Sequence, residues 1–193
     1  METNVEQIIE VGKNLYDEGL VSGKAGNIST RIKKDGMDVI AITPTLTSLG
    51  NMKGEDIVLV DLDGNVLTEG KPSSEVGMHL NIYRERDDVN AIVHTHSPYA
   101  TGFSFSPKKI KRHEGFGAIQ RPFLKEIEYE KPGTQELAEK AAKGLGKEDV
   151  LILKHHGVIC AAENLKEAET LSKFVEDIAK TQFVAHMLTL TEE

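Results

Sequence analysis

Ala91-Ile92-Val93-His94-Thr95-His96 joins a run of apolar residues to two histidines that are separated by a single residue. The apolar run predicts a buried strand over residues 91–96, and side chains alternate between faces along a strand. His94 and His96 therefore point the same way, about 6 to 7 Å apart, and two imidazoles so placed can chelate one metal ion. Imidazole suits zinc, copper, iron and nickel. The alternative is a pair of polar residues that merely ends a buried strand.

A second pair of histidines, His155 and His156, follows another apolar strand that we expect over residues 150–153, with residues 157–160 returning beside it. Adjacent strand residues face opposite sides, so only one of the two should reach a site shared with His94 and His96. Three histidines with one open position are typical of catalytic rather than structural zinc. Taken alone, the pair is better explained as the polar end of a strand.

Ser73-Ser74-Glu75 stands where we expect a second helix to open, at Pro72 and Ser73, and to continue to about residue 86. A serine N-cap and a glutamate in the first turn both stabilise a helix start, so capping is one explanation. The functional interpretation is that the helix start holds phosphate and that Glu75 serves as an acid–base group. His79 lies one turn later on the same face, and we expect it to be packed or hydrogen-bonded rather than a metal ligand.

A glycine-containing loop, Ser22-Gly23-Lys24-Ala25-Gly26-Asn27-Ile28-Ser29, precedes the first strand. Glycines let a backbone turn its N–H groups towards an anion. The loop lacks the ending of a P-loop and leads into a strand rather than a helix, so it is not a nucleotide-binding fingerprint. By itself it predicts a turn with modest capacity for phosphate.

The remaining pattern predicts a single α/β domain over residues 1–193, in which strands cluster between helices. Residues 103–132 give no clear assignment. We expect helices over about residues 4–18, 134–143 and 164–188, and strands over 28–32, 39–43 and 57–61 with a hairpin return at Val66 and Leu67.

Composition narrows the class of protein. The chain has 193 residues, of which 39% are apolar and 28% charged, as in an ordinary globular domain. Its formal net charge of -8 argues against nucleic acid as a partner. Cys160 is the single cysteine, so no disulfide within the chain can form and a cytoplasmic setting is expected. We find no signal-peptide pattern and no apolar run of about 18 residues that would predict a membrane span.

Five elements, taken in order, resemble the class II aldolase/adducin family, and within it the fuculose-phosphate aldolase branch with its short archaeal-type members. The elements are Gly26-Asn27-Ile28-Ser29, Thr43-Pro44-Thr45, Lys71-Pro72-Ser73-Ser74-Glu75, His94-Thr95-His96 and His156-Gly157. Each is weak alone, but the ordered set is specific and spans residues 6–188.

The resemblance implies a three-layer α/β/α fold with a central, mainly antiparallel sheet. It also implies a homotetramer with active sites between neighbouring subunits, and one Zn²⁺ per subunit held by His94, His96 and His156. Glu75 matches the family's general base. The positions that match phosphate-binding residues are Gly26, Asn27, Thr45, Ser73 and Ser74.

The function implied by the resemblance is metal-dependent cleavage of a ketose 1-phosphate such as L-fuculose 1-phosphate. The reaction passes through an enediolate and gives dihydroxyacetone phosphate and an aldehyde such as lactaldehyde. Pentulose-phosphate 4-epimerases and methylthioribulose-phosphate dehydratases resemble the chain as well. A non-enzymatic, adducin-like binding module is the alternative from another class, and retention of the three histidines and Glu75 argues against it.

Two positions depart from the family pattern. Leu46 stands where the family often has glycine, which alters one potential N–H contact to phosphate. The segment over residues 111–117 lacks the tyrosine expected to donate a proton. His113, Glu114 and Tyr129 are the candidates to replace it.

Overall fold

Seven strands of the chain form one sheet in the order β3-β2-β1-β4-β7-β6-β5 in the computed structural model, which describes residues 2–34, 36–113 and 121–190. The strands are β1 (Asn27–Lys34), β2 (Met37–Ile42), β3 (Val58–Asp61), β4 (Ala91–Thr95), β5 (Lys125–Ile127), β6 (Val150–Leu153) and β7 (Gly157–Ala162). All neighbouring pairs are antiparallel except β5 with β6. The mainly antiparallel sheet is thus confirmed.

Helices cover both faces of the sheet. They are α1 (Glu2–Asp17), α2 (Val76–Glu85), α3 (Pro98–Ser104), α4 (Gln135–Leu145) and α5 (Leu165–Thr189). Side-chain alternation on β2 sends Ile40 to one apolar cluster with α2 and α4, and Val39 to another with α1 and the start of α5. A third cluster joins α3 and α5 to β6 and β7. These layers confirm the three-layer α/β/α fold.

Local capping chemistry explains where α4 and α5 begin. The Thr134 side chain accepts a hydrogen bond from Leu137 N, and the Asn164 side chain accepts one from Glu167 N. Both are preferred N-cap residues, and their bonds satisfy donors that a helix start leaves unpaired. Within the part of the chain that the structure describes, no helix has both the length and the apolar character needed to cross a membrane.

The sequence prediction for α2 is wrong at its start. Ser73 lies in a turn closed by a bond from Val76 N to Ser73 O, and Glu75 rather than Ser73 occupies the N-cap position. The reason is non-local: Ser73 N donates to Thr43 O at 3.0 Å, which holds the residue outside the helix.

Three smaller differences concern strand ends and a short helix. The expected return at Val66 and Leu67 is a single bridge, Val60 with Val66, rather than a strand. β4 ends at Thr95, so His96 lies one residue beyond it. Helix α3, part of which falls in the unassigned stretch, was not expected.

Candidate metal centre and active site

The candidate residues lie where three neighbouring central strands begin or end, on one side of the sheet; this side is called the metal edge below. β1 runs antiparallel to β4, so Asn27 at the start of β1 is the register partner of His94 near the end of β4. β4 also runs antiparallel to β7, whose first residue follows His156. The turn between β6 and β7 therefore presents His156 beside His94.

The imidazoles of His94, His96 and His156 face one another. The Nε2 of His94 lies 3.0 Å from that of His96 and 3.3 Å from that of His156. Ring centroids are 4.8 to 5.0 Å apart, with the rings edge to face. Gly157 makes this packing possible, because a Cβ there would lie 2.4 Å from the Thr95 carbonyl oxygen and 3.0 Å from the His96 ring.

The ring nitrogens of His94, His96 and His156 are arranged to bind a cation. His94 Nδ1 lies 2.9 Å from the Val158 carbonyl oxygen, which only accepts, so Nδ1 carries the proton of neutral His94. Its Nε2 lone pair then faces the other two imidazoles. Such convergent lone pairs repel unless a positive charge lies between them, and a fixed Nδ1–H donor is the usual support of a histidine ligand. Among the described residues, these three histidines form a group whose ligand atoms all lie within 4.8 Å.

Glu75, at the N-cap of α2, lies against the three histidines. Its Oε2 lies 3.2 Å from His94 Nε2 and its Oε1 lies 3.4 Å from His156 Nε2. The carboxylate is buried, and Oε1 has no hydrogen-bond partner among the described residues. A buried oxygen without a partner is destabilising unless a ligand satisfies it, so it marks a functional position.

Burial and mutual contact shift the pKa values of Glu75 and the three histidines. Burial raises the pKa of Glu75, but neighbouring His94 above all, with His156 and Asn27, holds it well below the ordinary value. Burial opposes charge on His94, and the Glu75 carboxylate outweighs it, so the pKa of His94 is raised. Burial and the neighbouring imidazoles lower the pKa of His96 to about 3 and that of His156 to about 4. Glu75 is therefore a carboxylate at neutral pH, and two imidazoles keep their lone pairs.

Backbone hydrogen bonds join two segments that carry expected phosphate-binding residues, next to the start of α2. Thr45 N donates to Lys71 O, and Ser73 N donates to Thr43 O, each at 3.0 Å. The Ser73 hydroxyl oxygen accepts from Glu75 N at 3.2 Å. These bonds place Ser73 in contact with the backbone of Glu75 and leave its hydroxyl proton available to another acceptor.

The glycine loop packs against the same edge. Gly26 has φ +81°, and a Cβ there would lie 2.9 Å from the His94 carbonyl oxygen, so the close approach requires glycine. The next residue, Asn27, is buried, and its amide donates to Glu75 Oε2 at 2.9 Å. Ser74 is exposed beside this edge. The structure thus brings Asn27 and Ser73 into contact with Glu75, and Gly26 against His94.

A family model described as "Class II Aldolase and Adducin N-terminal domain" matches residues 6–183. The chain belongs to the class II aldolase and adducin family. An L-fuculose phosphate aldolase from Methanocaldococcus jannaschii is 44% identical over 178 residues, which is 91% of this chain and 93% of that protein. A 5-deoxy-D-ribulose 1-phosphate aldolase from Bacillus thuringiensis is 37% identical over 179 residues, covering 92% of this chain and 83% of that protein.

A solved structure of an L-fuculose 1-phosphate aldolase shares the fold. Its TM-score is 0.89 at 33% sequence identity, and the match covers 97% of this chain and 88% of the other. Family and relatives together identify this class II aldolase as an enzyme of the lyase type. Class II aldolases depend on a metal, and the His94, His96 and His156 cluster is where this one can hold it.

The candidate proton donors of this class II aldolase lie apart from one another. Tyr129 is half exposed, and its ring lies 6.3 Å from that of His155, the residue before His156. His113 instead lines a groove between α3 and α5 with Tyr99. Glu114 lies outside the described residues. Within one subunit, Tyr129 is therefore the candidate nearer to the metal edge.

Leu46 adopts φ +58°, the left-handed region that favours glycine. Its side chain is 73% exposed, so little packing compensates for that conformation. The glycine common in the family at this position thus has a backbone reason, and this class II aldolase retains the turn without it.

Sequence reasoning missed the surroundings of Glu75. It assigned Asn27 to phosphate and gave Ser29 and Tyr83 no role, whereas these buried side chains hydrogen-bond in a chain that includes His79. A signal was present: Asn27 and Ser29 are two residues apart on β1, and so share one face. His79 is hydrogen-bonded at both ring nitrogens, as expected for a histidine that is not a ligand.

Proposed function

We propose that this enzyme cleaves a ketose 1-phosphate such as L-fuculose 1-phosphate to dihydroxyacetone phosphate and an aldehyde, lactaldehyde in that case. The observation that carries the proposal is the Glu75 carboxylate, buried within 3.4 Å of both His94 and His156 and with one oxygen unpaired. Relatives that act on L-fuculose phosphate and 5-deoxy-D-ribulose 1-phosphate support a short ketose 1-phosphate.

In the cleavage direction, a base on the aldehyde side takes the proton of the substrate's C4 hydroxyl and later returns it to solvent. The C3–C4 bond breaks, and its electron pair forms the enediolate of dihydroxyacetone phosphate. Glu75 takes up a proton from solvent and delivers it to C3, which restores the carboxylate; in the synthetic direction the carboxylate removes that proton. Its lowered pKa fits a group that starts synthesis as a carboxylate. Zn²⁺, which three imidazoles suit, supplies Lewis-acid polarisation of the substrate carbonyl when bound.

We assign the phosphate to the edge beside Glu75, with Gly26, Asn27, Thr45, Ser73 and Ser74 around it. The Asn27 amide is committed to Glu75 and His79, so we propose that this residue supports the phosphate edge by fixing Glu75. Ser73 contributes its hydroxyl proton, since its oxygen already accepts from Glu75 N. Anchoring the phosphate in this way orients C3 towards the Glu75 carboxylate.

We further propose a single cytoplasmic domain that assembles as a homotetramer with active sites between subunits. Large apolar side chains exposed on the last turns of α5 support an assembly, since burying them gains free energy. They include Phe183, Val184 and Met187. Light scattering of the purified protein tests the assembly.

The decisive experiment for the function is a substrate panel with product analysis. Purified, zinc-loaded enzyme is incubated with L-fuculose 1-phosphate, 5-deoxy-D-ribulose 1-phosphate and their dephosphorylated sugars, and dihydroxyacetone phosphate or dihydroxyacetone is quantified. We expect release from at least one phosphate ester and much slower cleavage of the free sugars, because remote binding energy is lost. Epimerised or dehydrated products without carbon–carbon cleavage would assign the site to another reaction.

A further inference from the structure

Five buried polar side chains next to the three histidines form one continuous hydrogen-bonded chain between β1 and α2. They are Glu75, Asn27, His79, Ser29 and Tyr83. Asn27 Nδ2 donates to Glu75 Oε2 at 2.9 Å, and Asn27 Oδ1 lies 2.5 Å from His79 Nε2. His79 Nδ1 lies 2.7 Å from Ser29 Oγ, which lies 2.8 Å from the Tyr83 hydroxyl. His79 and Tyr83 are both fully buried, so water does not replace these partners.

The direction of every bond follows from the carboxylate at its end. Glu75 as a carboxylate only accepts, so the amide side of Asn27 faces it and the Asn27 oxygen faces His79. His79 must then donate from Nε2, which leaves Nδ1 of the neutral ring to accept from the Ser29 hydroxyl. The Ser29 oxygen in turn accepts from Tyr83. All four hydrogen bonds therefore point towards Glu75.

We propose that His79 is a positioning residue, which acts as a fixed Nε2–H donor and holds the Asn27 amide in the orientation that seats the Glu75 carboxylate. Without that donor, the Asn27 oxygen is buried without a partner, and the side chain is held only by its bond to Glu75. The Asn27 amide can then shift, and the Glu75 carboxylate loses its fixed position. This inference rests on the proposed role of Glu75 as the base, because only then does its placement limit turnover.

Sequence spacing builds the chain from two regular elements. Glu75 is the N-cap of α2, and His79 and Tyr83 follow it at intervals of four residues. Asn27 and Ser29 are two apart on β1. Both spacings keep side chains on one face of their element. The helix face and the strand face meet with matched donors and acceptors, which is a more specific arrangement than burial of a histidine alone requires.

The first test is the tautomer of His79 in the zinc-loaded enzyme. Protein labelled with ¹⁵N-histidine gives long-range ¹H–¹⁵N spectra that distinguish protonated from unprotonated ring nitrogens, and the His79→Gln variant assigns the signal by its loss. We expect His79 to be neutral with the proton on Nε2. A proton on Nδ1 reverses the chain and would overturn the inference. This result does not depend on any substrate, so it stands apart from failure of the proposed function.

The second test compares two substitutions of His79. Glutamine keeps an N–H donor near the Nε2 position, and leucine fills similar volume without one. We expect His79→Leu to lower kcat by about 10-fold to 100-fold with little change in KM and full zinc content, and His79→Gln to recover most of the loss.

The control is Ile82→Ala, a fully buried residue on the same helix that makes none of these bonds. It should lower thermal stability yet keep kcat at a temperature where the protein is folded. Equal kcat for wild-type enzyme and folded His79→Leu, or equal losses in the leucine and glutamine variants, would show that His79 is merely structural. A wild-type enzyme that cleaves no substrate would refute the proposed function, with the tautomer measurement still deciding the hydrogen-bond direction.

Discussion

Asn27 and His94 are register partners across the antiparallel pair β1–β4, and the side chain of Asn27 holds the same carboxylate oxygen that approaches His94 Nε2. A slip of one residue in this register would send Asn27 to the other face of the sheet. The register of two central strands therefore fixes Glu75 relative to the metal site before any metal or substrate binds.

The metal ligands can be tested by composition. We expect elemental analysis to give about one zinc per subunit, the number that one site with three histidine ligands holds, and to show that His94→Ala lacks it. His155→Asn is the matched control, because His155 is adjacent to His156 but packs its ring on Phe105 instead of joining the cluster. Asparagine also tolerates the φ of +55° at this position. Full occupancy in His94→Ala would exclude this ligand set.

The buried His79 should make stability depend on pH. Burial lowers its pKa to about 3 in the folded enzyme, against 6.5 in the unfolded chain. Below pH 6.5 the unfolded chain takes up a proton that the folded state refuses, so the free energy of unfolding falls as the pH drops from 6.5 towards 3.

The measurement for this prediction is urea unfolding of wild type and His79→Gln at several pH values between about 7.5 and 5. The wild type should lose on the order of 1 kcal/mol per pH unit more than the variant in the acidic part of the range. Parallel pH profiles of the two proteins would show that His79 is not held neutral.

Leu46 should be a stabilisation site. Its φ of +58° is strained for a leucine, and its side chain is mostly exposed. We expect Leu46→Gly to be more stable than Leu46→Ala by about 1 kcal/mol, because both remove the side chain but only glycine accepts the left-handed backbone. Chemical denaturation of the two variants measures the difference. A less stable glycine variant would mean that the turn carries no such strain.

Much of the fold was predictable from continuous apolar runs, which mark β4 and β6. The start of α2 was not, because the bond from Ser73 N to Thr43 O joins segments that are distant in sequence. For the site, strand alternation predicted that His94 and His96 share a face. Alternation alone did not choose between His155 and His156, since the choice depends on the turn that follows β6. The role of the Asn27 side chain was hidden for a similar reason, because it depends on partners from α2.

The proton donor on the aldehyde side can be identified by separating two rates. Exchange of solvent deuterium into dihydroxyacetone phosphate requires Glu75 but no aldehyde, whereas condensation also requires an acid for the new hydroxyl. We expect Tyr129→Phe to slow condensation by about 10²-fold and to leave the exchange rate unchanged. His113→Ala, in the groove between α3 and α5, should change neither rate. An unchanged ratio of rates in Tyr129→Phe would remove this tyrosine as the acid.

The central claim is that Glu75 performs proton transfer beside the metal during cleavage of a ketose 1-phosphate. Its most direct test is the release of dihydroxyacetone phosphate from L-fuculose 1-phosphate by zinc-loaded wild type and Glu75→Gln, with zinc content and folding measured for both. Glutamine keeps the shape of the side chain but cannot carry the proton. We predict steady release by the wild type and a loss of about 10²-fold to 10⁴-fold in a folded, metal-bound variant. Near-normal release by Glu75→Gln would contradict the account.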